Sequence, residues 1–503
     1  MSLAKVYSTS VLGLDAMPIE VEVDISNGLP SLTIVGLPDK AIEESKERVR
    51  SAIKNSGANF PVKKLTINLA PADLKKEGPA YDLPIAIGIL TADEQIPKIS
   101  EKVLFVGELA LDGNLRHING ILPTVLMAKE KGYQKVYLPD VNKDEAIMVK
   151  GIEIIPVKNL KELIYHLKNE KAIPSFFKKF QIITDRKYEN DMTFVKGQEN
   201  AKRALEIAAA GGHNILMSGP PGSGKTLLAK TIPSILPELN EDEILEVTKI
   251  YSVAGLLPHD EPLISIRPFR SPHHTTSNVA LVGGGTFPRP GEITLSHRGV
   301  LFLDEFAEFP RSVLEALRQP LEDGVITVSR AQGSITYPAK FILVAAQNPC
   351  PCGYLGDESK NCICTPTQII RYQKRVSGPL LDRIDLHVEV PRIKYEKLAS
   401  ESVAEKSIEI RKRVEIARKV QNKRAKKTNS EFSPRDIKAY CGLDEEGKNL
   451  LKHAVNNLNL SARQYSRILK VSRTIADLSV SDDIKKEHIA ESLQYRPKEQ
   501  NIY

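Results

Sequence analysis

Two short stretches of alternating apolar and polar residues lie in the first third of the chain. Isoleucine or valine occupies every second position from Ile19 to Ile25, and leucine or isoleucine does so from Leu65 to Leu69. An alternation of period two predicts half-buried β-strands, and residues 104–106 are typical of a further strand. Between the first two strands, Ile42, Val49 and Ile53 recur at helical spacing. We therefore predict an α/β domain over residues 1–168.

Short, nearly continuous apolar runs mark the centre of the chain. Residues 214–218, 300–303 and 341–346 are of this kind, which is typical of buried strands in a parallel sheet. We predict a core of helices on both sides of a sheet over residues 193–395. Residues 169–192 have little apolar periodicity and are expected to form a linker.

Helical spacing characterises the last hundred residues. Apolar residues recur at positions 468, 469, 471, 475 and 478, and Ser433 and Ser461 are candidate helix N-caps. The predicted fold class is thus α/β and multidomain, with a helical C-terminal lid over residues 396–503.

Composition and net charge indicate a globular protein. The chain has 503 residues, of which 41% are hydrophobic and 26% charged, and its net charge is +7. These values are ordinary for a globular protein of two to four domains, and the mild positive charge permits a polyanionic partner without requiring one. The longest apolar run, near residues 83–90, is too short to span a bilayer. We expect a cytoplasmic protein that does not interact with membranes.

A phosphate-binding pattern follows the first central strand. Residues 219–226 fit G-x-x-x-x-G-K-[ST], and helix-forming residues come next. Glycines let backbone N–H groups turn toward phosphate oxygens, and the N-terminus of the following helix favours the same anion. The lysine can contact the β- and γ-phosphates, and the threonine hydroxyl can bind Mg²⁺. The pattern predicts a site for ATP and Mg²⁺ formed by Gly219, Pro220, Pro221, Gly222, Ser223, Gly224, Lys225 and Thr226.

The second central strand ends in two carboxylates, Asp304 and Glu305. A P-loop enzyme that hydrolyses ATP needs such groups, one to hold Mg²⁺ and one to polarise the attacking water. We assign the first role to Asp304 and the second to Glu305, and predict an ATP hydrolase. The alternative is a strand followed by a charged turn.

The segment between these motifs resembles the magnesium-chelatase branch of the AAA+ ATPases. It contains Arg267 and Arg270 in the sequence Arg-Pro-Phe-Arg, then His273 and His274, then three glycines at 283–285. The resemblance implies a hairpin inserted into the second helix of the core. The two histidines would then belong to a basic hairpin or an interface, and the alternative is a metal site.

The same resemblance implies roles for residues further along the chain. Asn348 matches the polar sensor that bridges nucleotide and water, and Arg463 matches the second sensor of the lid. Arg383 matches the arginine finger, which acts on the nucleotide of a neighbouring subunit and therefore implies a ring; a surface Arg–Asp pair is the alternative. Arg330 lies at the tip of a hairpin pattern that faces the pore in this family, and residues 195–198 match a segment that lies against adenine.

The first domain resembles the proteolytic domain of Lon-type proteases. Residues 77–83, 107–109, 120–123 and 136–139 carry the likeness. That family uses a Ser–Lys dyad, but Ala80 occupies the serine position and Leu122 the lysine position. The resemblance thus implies a Lon-like fold without protease activity. A rearranged dyad is the alternative.

Four of the five cysteines lie within fifteen positions, at Cys350, Cys352, Cys362 and Cys364. Four thiolates so arranged could bind one structural Zn²⁺, although the C-x-C spacing is tighter than usual. Free thiols and disulfides are the alternatives.

Basic residues are concentrated in segment 407–427. They could contact a polyanion or form a solvated helix face.

Across nearly its whole length the chain resembles the ComM/YifB group of magnesium-chelatase-like ATPases. The resemblance implies a hexameric ring that hydrolyses ATP and drives branch migration of single-stranded or branched DNA in recombination and natural transformation, with recombination proteins as possible partners. Arg330, Arg267 and Arg270 are the candidate DNA contacts. Two alternatives are a protein-remodelling ATPase and, with less support, the motor subunit of a metal chelatase.

Overall fold

The computed structural model describes residues 2–74, 76–177, 188–258, 262–285, 288–330, 333–393, 404–458 and 460–497. The chain divides into two compact units, of which unit 1 contains residues 1–183 and 244–264 and unit 2 contains residues 184–243 and 265–503. Part of the predicted linker, residues 178–187, lies outside the described residues, and so does the predicted boundary at 395–396. No helix in the described parts of the chain is long and apolar enough to cross a membrane.

Unit 1 is a mixed sheet covered by helices. Its strands are β1 (Ser2–Leu12), β2 (Asp15–Ser26), β3 (Ser31–Val35), β4 (Lys64–Ala70), β5 (Val103–Phe105), β6 (Glu108–Leu109), β7 (Leu115–Arg116), β8 (Lys135–Pro139) and β9 (Glu153–Val157). Its helices are α1 (Lys40–Asn55), α2 (Asp82–Ala92), α3 (Ile121–Glu130), α4 (Lys143–Ala146) and α5 (Leu160–Leu167). Seven strands form one sheet in the order β3-β4-β2-β1-β5-β8-β9.

The hydrophobic pattern accounts for these elements. The alternating stretches lie in β2 and β4, which pair antiparallel and bury Val21, Val23, Ile67 and Leu69. The predicted helix is α1; it buries Ile42, Val49 and Ile53, and Asp39 caps it by accepting a hydrogen bond from Ile42 N. The longest apolar run, near residues 83–90, lies in α2, where every residue of the run is buried. The two predicted strands and the predicted helix are therefore confirmed.

Residues 244–264 belong to unit 1, although the sequence placed them in the central core. Leu245 packs against the apolar cluster around α3. The Ser252 hydroxyl donates to the buried carboxylate of Glu145, and the Ser252 carbonyl accepts from Gly120 N at 3.2 Å. Burial raises the pKa of Glu145, whose carboxylate also accepts from Leu122 N at 2.8 Å. These long-range contacts, which have no local sequence signal, hold the segment in unit 1.

Unit 2 is built on a parallel sheet. The strands in this part of the chain are β10 (Ile215–Ser218), β11 (Phe269–Arg270), β12 (Gly283–Gly284), β13 (Arg289–Pro290), β14 (Val300–Leu303), β15 (Val325–Arg330), β16 (Gly333–Pro338), β17 (Ile342–Gln347) and β18 (Leu386–Glu389). Five of them form the parallel sheet in the order β11-β14-β17-β10-β18.

The helices after residue 198 begin with α6 (Glu199–Gly211) and α7 (Lys225–Ile235). They continue with α8 (Glu241–Ala254), α9 (Asn278–Val282), α10 (Glu292–Leu295), α11 (Arg311–Ala316), α12 (Arg318–Asp323), α13 (Pro366–Gln373), α14 (Gly378–Leu381), α15 (Ser407–Ala425), α16 (Pro434–Tyr440), α17 (Glu445–Leu458), α18 (Ala462–Leu478) and α19 (Lys486–Ser492). Ser433 and Ser461 cap α16 and α18, as predicted.

The sheet order brings the chemical motifs together. Strand β17 lies between β10 and β14, with Ser218 opposite Gln347 and Leu303 opposite Ala345. All three strands are parallel, so their carboxyl ends meet at one edge, where ligands of such sheets bind. Two hairpins also appear in the expected places. Strands β15 and β16 pair antiparallel from Val325 opposite Pro338, and β12 pairs with β13.

Candidate nucleotide-binding site

The phosphate-binding loop connects the buried strand β10 to α7. Gly222 and Gly224 have φ angles of +74° and +92°, in the left-handed region that favours glycine, and a Cβ on either would meet no atom within 4 Å. At Gly219, by contrast, a Cβ would collide with the carbonyl oxygen of Val390. The first glycine therefore allows close packing, and the other two shape a loop that is open to a ligand.

Lys225 and Thr226 begin α7. Lys225 is 8% exposed, and its Nζ donates to the carbonyl oxygens of Gly219 and Pro220 at 2.8 and 2.9 Å. Burial lowers the pKa of this ammonium. The Thr226 hydroxyl donates to Asp304 Oδ2 at 2.7 Å. The two groups assigned to Mg²⁺ are therefore neighbours, as a shared hard-cation site requires.

Asp304 and Glu305 follow β14 at the same edge of the sheet. Glu305 has a φ angle of +52°, an uncommon backbone conformation for a residue with a side chain, and such residues often occur at functional sites. Its carboxylate lies 2.8 Å from His274 Nδ1. Glu305 and His274 line one cavity of 590 Å³ together with the phosphate-binding loop, Asp304 and Asn348. The carboxylate thus faces the cavity that the phosphate-binding loop also lines.

Two further polar residues complete this edge. Asn348 directly follows β17, and its Oδ1 lies 3.4 Å from Lys225 Nζ. Gln198 has a left-handed φ angle of 59°, and its Nε2 donates to Pro391 O at 2.6 Å and Ser223 O at 3.2 Å. Gln198 therefore ties the phosphate-binding loop to the chain after β18. The sequence placed Gln198 only in a segment against adenine and gave no role to the His274–Glu305 pair.

Comparison with known proteins decides the family. The family described as "Magnesium chelatase, subunit ChlI" matches residues 191–398, and two related ChlI families match residues 21–142 and 404–496. Over 99% of its length the chain is 46% identical to the uncharacterized protein YifB of Escherichia coli and 45% identical to the competence protein ComM of Haemophilus influenzae, covering 97% and 98% of those proteins. The chain belongs to the ComM/YifB group. It is an AAA+-type ATPase of the magnesium-chelatase-like kind.

The N-terminal similarity of this ComM/YifB protein to Lon is confirmed over part of the chain. Lon protease 2 of Bacillus subtilis is 30% identical over 162 residues, which are 29% of each chain. The two positions of the dyad come together in one apolar cluster, where Leu122 is fully buried and Ala80 packs against the cluster. Neither side chain can act as a nucleophile or base.

The two arginines predicted to act on nucleotide lie away from the phosphate-binding loop. Arg383 and Arg463 line a second cavity of 800 Å³ and do not line the first. Arg383 pairs with Glu322, and its Nη1 donates to Pro379 O at 2.7 Å. The nearby guanidinium lowers the pKa of Glu322. Within one chain, the structure therefore does not bring either arginine to the phosphates.

Arg267 and Arg270 are paired within the chain, which argues against their expected role as DNA contacts. Arg267 donates to the carbonyl oxygens of Pro237 and Arg298 at 2.6 and 2.7 Å and to Glu243 at 3.0 Å. Burial lowers its pKa. The Arg270 guanidinium makes two hydrogen bonds to the Glu292 carboxylate, at 2.6 and 2.7 Å. Both arginines thus join segments of unit 2.

The basic helix α15 also directs its arginines toward its own chain. Arg411 and Arg418 donate to the carbonyl oxygens of Ser234 and Ala209. A larger set of ion pairs links Arg413 to Glu206 and Glu405 and Arg424 to Asp477. These four arginines are therefore engaged within the chain and do not support contact with a polyanion. Arg330 ends β15 opposite Gly333, and its side chain and residues 331–332 lie outside what the structure describes.

The four clustered cysteines converge. Their sulfur atoms all lie within 4.8 Å of one another, and the shortest separations, among Cys350, Cys352 and Cys362, are 3.4 to 3.6 Å. A disulfide needs about 2.05 Å, and a tetrahedral zinc site with Zn–S bonds of about 2.3 Å puts the sulfurs about 3.8 Å apart. The arrangement fits a metal site. Within the described residues, no other group of three or more His, Cys, Asp or Glu side chains has metal-binding geometry, so the histidine pair gains no support as one.

Proposed function

We propose that this protein is an ATP-driven motor that acts on DNA. It works as a homo-oligomeric ring of six subunits, the number that the family resemblance implies. The observation that supports the motor most strongly is the convergence of Lys225, Thr226, Asp304, Glu305 and Asn348 around one cavity. Such a set holds a nucleotide and directs a water molecule to it. The proposed location is the cytoplasm, where ATP and DNA are both present.

The proposed reaction is hydrolysis of the bond between the β- and γ-phosphates of ATP, which gives ADP and inorganic phosphate. Lys225 and the backbone N–H groups of the phosphate-binding loop hold the phosphates. Thr226 and Asp304 would hold Mg²⁺, which would neutralise charge on the phosphate oxygens when bound. Glu305 orients the attacking water and accepts its proton, and Asn348 holds the water and γ-phosphate in line.

The position of Arg383 and Arg463 supports the proposed ring. A positive side chain that approaches the γ-phosphate stabilises the transition state strongly, but both arginines line the other cavity of their own chain. We propose that they act on the nucleotide of a neighbouring subunit. Each site is then incomplete until a second copy is bound.

DNA as the substrate is supported by the relationship to the competence protein ComM and by the hairpin formed by β15 and β16. In the proposed ring, each hairpin carries Arg330 toward the axis. Contacts of this kind to phosphates release counterions and are indifferent to sequence, so affinity for DNA should fall steeply with salt. We propose branch migration during recombination of incoming strands, which would make recombination proteins its partners.

The test measures ATP hydrolysis by the purified protein without DNA, with single strands, and with forked or three-stranded DNA. Branched DNA should stimulate hydrolysis. Arg330→Ala should reduce the stimulation and leave the DNA-free rate near normal, while Lys230→Ala, at an exposed position on α7, should change neither. If the protein shows no DNA binding at low salt, with or without a non-hydrolysable ATP analogue, DNA is not its substrate.

That outcome would favour a protein-remodelling ATPase, a function suggested by the partial similarity to Lon protease 2. A metal chelatase needs a partner that carries the porphyrin, and a metal-ion-dependent adhesion domain with a D-x-S-x-S motif. Residues 477–481 have this spacing. However, Asp477 is fully buried near the end of α18 and accepts hydrogen bonds from Arg424, Arg473 and Asn429. Its carboxylate therefore stabilises the fold.

We also propose one structural Zn²⁺ per chain, bound by Cys350, Cys352, Cys362 and Cys364. The sulfur separations support it. Backbone N–H donors around the sulfurs support it as well, such as Cys352 N, which donates to Cys364 Sγ at 3.4 Å. The Cys352 sulfur accepts hydrogen bonds from the N–H groups of Tyr354 and Ile363. Four protein ligands leave no open position, which is typical of structural zinc. Elemental analysis should find about one zinc per chain.

A further inference from the structure

The segment that carries the first two cysteines also contacts the phosphate-binding loop. Cys350 lies two residues after Asn348, whose Oδ1 is 3.4 Å from Lys225 Nζ. Three residues further on, Gly353 approaches Pro221 so closely that a Cβ on the glycine would lie 2.6 Å from Pro221 Cδ. Both ends of segment 348–353 therefore contact the phosphate-binding loop.

The cysteines hold this segment in a tight turn. Gly353 N donates to Cys350 O at 3.0 Å, and Gly353 has a left-handed φ angle of +84°. Cys352 N donates to Cys364 Sγ at 3.4 Å, which joins the turn to the second cysteine pair. A metal bound to all four sulfurs would fix this turn. Thiols without a metal interact only weakly, so the turn would then adopt more conformations.

We propose that the metal bound by the four cysteines increases nucleotide affinity, because it holds segment 348–353 against the phosphate-binding loop. This inference rests on the proposed ATPase function and on the proposed zinc site. Coupling between two binding sites is reciprocal, so nucleotide increases zinc affinity by the factor by which zinc increases nucleotide affinity. The factor for such coupling is typically about 5 to 150.

The experiment uses the full-length protein and zinc alone as the metal. Binding of a fluorescent ATP analogue is titrated with the zinc-loaded protein, with protein stripped by a chelator under reducing conditions, and with protein reloaded with zinc. Stripping should weaken nucleotide binding about fivefold or more, and reloading should restore it. Zinc affinity is measured by competition against a chelator, with and without a non-hydrolysable ATP analogue. The analogue should increase zinc affinity by the same factor by which stripping weakens nucleotide binding. The analogue itself also binds zinc, and a parallel measurement on Lys225→Ala corrects for this.

Two glycines of this region supply a matched pair of variants. Gly353 and Gly356 have similar left-handed φ angles, +84° and +78°, so alanine costs similar backbone strain at either position. A Cβ at 353 collides with Pro221, whereas a Cβ at 356 meets nothing within 4 Å. Gly353→Ala should keep about one zinc per chain and lose most of the coupling between zinc and nucleotide binding. Gly356→Ala should keep both the zinc and the coupling. If Gly353→Ala does not fold, Pro221→Ala removes the other side of the contact and should have the same effect.

Three results would contradict these proposals in distinguishable ways. Equal nucleotide affinity with and without zinc, in a protein that binds both, overturns the coupling and leaves the ATPase assignment standing. If the purified protein contains no zinc and binds nucleotide normally, the coupling is likewise overturned and the ATPase assignment stands. Failure of the zinc-loaded protein to bind nucleotide refutes the proposed ATPase function, and the coupling with it.

Discussion

Replacing Glu305 by glutamine tests the assignment of the hydrolytic residue with little change to the structure. The side chain is 55% exposed in the nucleotide cavity, where it pairs with His274 at 2.8 Å. Glutamine has the same shape and tolerates the left-handed backbone no worse than glutamate does. The substitution removes the negative charge that we propose orients the water, while the groups proposed to hold the phosphates are unchanged. The variant should therefore lose ATP hydrolysis and keep ATP binding.

The magnitudes of the two effects differ widely. Loss of a positioned general base reduces rates about 10²- to 10⁴-fold, which raises the activation barrier by about 3 to 5 kcal/mol. The contact between His274 and Glu305 is partly exposed on both sides, and even a charged pair so exposed contributes no more than about 1 kcal/mol to stability. ATP affinity should be nearly unchanged, because Lys225 and Thr226 hydrogen-bond to Gly219, Pro220 and Asp304, which the substitution leaves in place. Glu305→Gln is expected to be folded, able to bind ATP and almost inactive.

Steady-state phosphate release and equilibrium binding of a fluorescent ATP analogue measure the two quantities. Glu308→Gln is the matched control, since it removes the same charge three residues away, on a side chain that pairs with Arg375 outside the cavity. The control should hydrolyse ATP near the normal rate. Normal turnover by Glu305→Gln would refute the assignment. Equal losses in both variants would point to a general charge effect.

Four further predictions follow from the geometry. Lys225→Ala should weaken ATP binding about 10- to 150-fold, because a charged hydrogen-bond donor to phosphate is lost; equilibrium titration checks this. Arg383→Ala and Lys225→Ala should each be inactive alone, and mixing them should restore some hydrolysis if arginine acts between subunits. Arg48→Ala should destabilise unit 1 by about 3 to 5 kcal/mol in urea denaturation, since it leaves Asp82 buried without its ion-pair partner. Burial lowers the pKa of His387 from 6.5 to about 4, so only the unfolded state takes up its proton between these values. The free energy of unfolding should therefore decrease as pH falls through this window, and His387→Gln should reduce the decrease.

Each of these predictions has a control or an outcome that contradicts it. Full activity of Arg383→Ala alone would exclude action between subunits. Arg116→Ala removes the partner of Glu108 from a pair in which the arginine is 63% exposed, and it should cost no more than about 1 kcal/mol. Equal destabilisation by Arg48→Ala and Arg116→Ala would refute the burial argument. Unchanged acid sensitivity in His387→Gln would assign the effect to other groups.

Local patterns in the sequence predicted most of the elements around the candidate nucleotide-binding site. The loop at residues 219–226, the carboxylates after β14 and the strand before Asn348 are each encoded in a few consecutive residues. Their meeting point follows once the strands are parallel, because carboxyl ends then share an edge. The predicted N-caps at Ser433 and Ser461 are confirmed for the same reason, since a cap is a contact over three residues.

Contacts between distant segments could not be predicted in this way. The pair formed by His274 and Glu305, the clamp made by Gln198, and the placement of residues 244–264 in unit 1 all depend on which segments become neighbours. Nothing in the local pattern of charge distinguishes an arginine with a buried partner from one that faces solvent. The density of basic residues in segment 407–427 therefore suggested a polyanion surface that the ion pairs of α15 do not support.

The cost of breaking an existing ion pair shows which arginines can reach another molecule. Arg424 binds Asp477, whose side chain is fully buried, and separating such a pair costs about 3 to 5 kcal/mol, so Arg424 is committed to the fold. Arg383 binds Glu322, whose side chain is 54% exposed, and a pair of that kind contributes about 0 to 1 kcal/mol. A phosphate carries more charge than one carboxylate and accepts several hydrogen bonds, so it would compete successfully for Arg383. The low cost of releasing this side chain, together with its distance from the phosphate-binding loop of its own chain, is why a neighbouring subunit's nucleotide is the partner we propose for it.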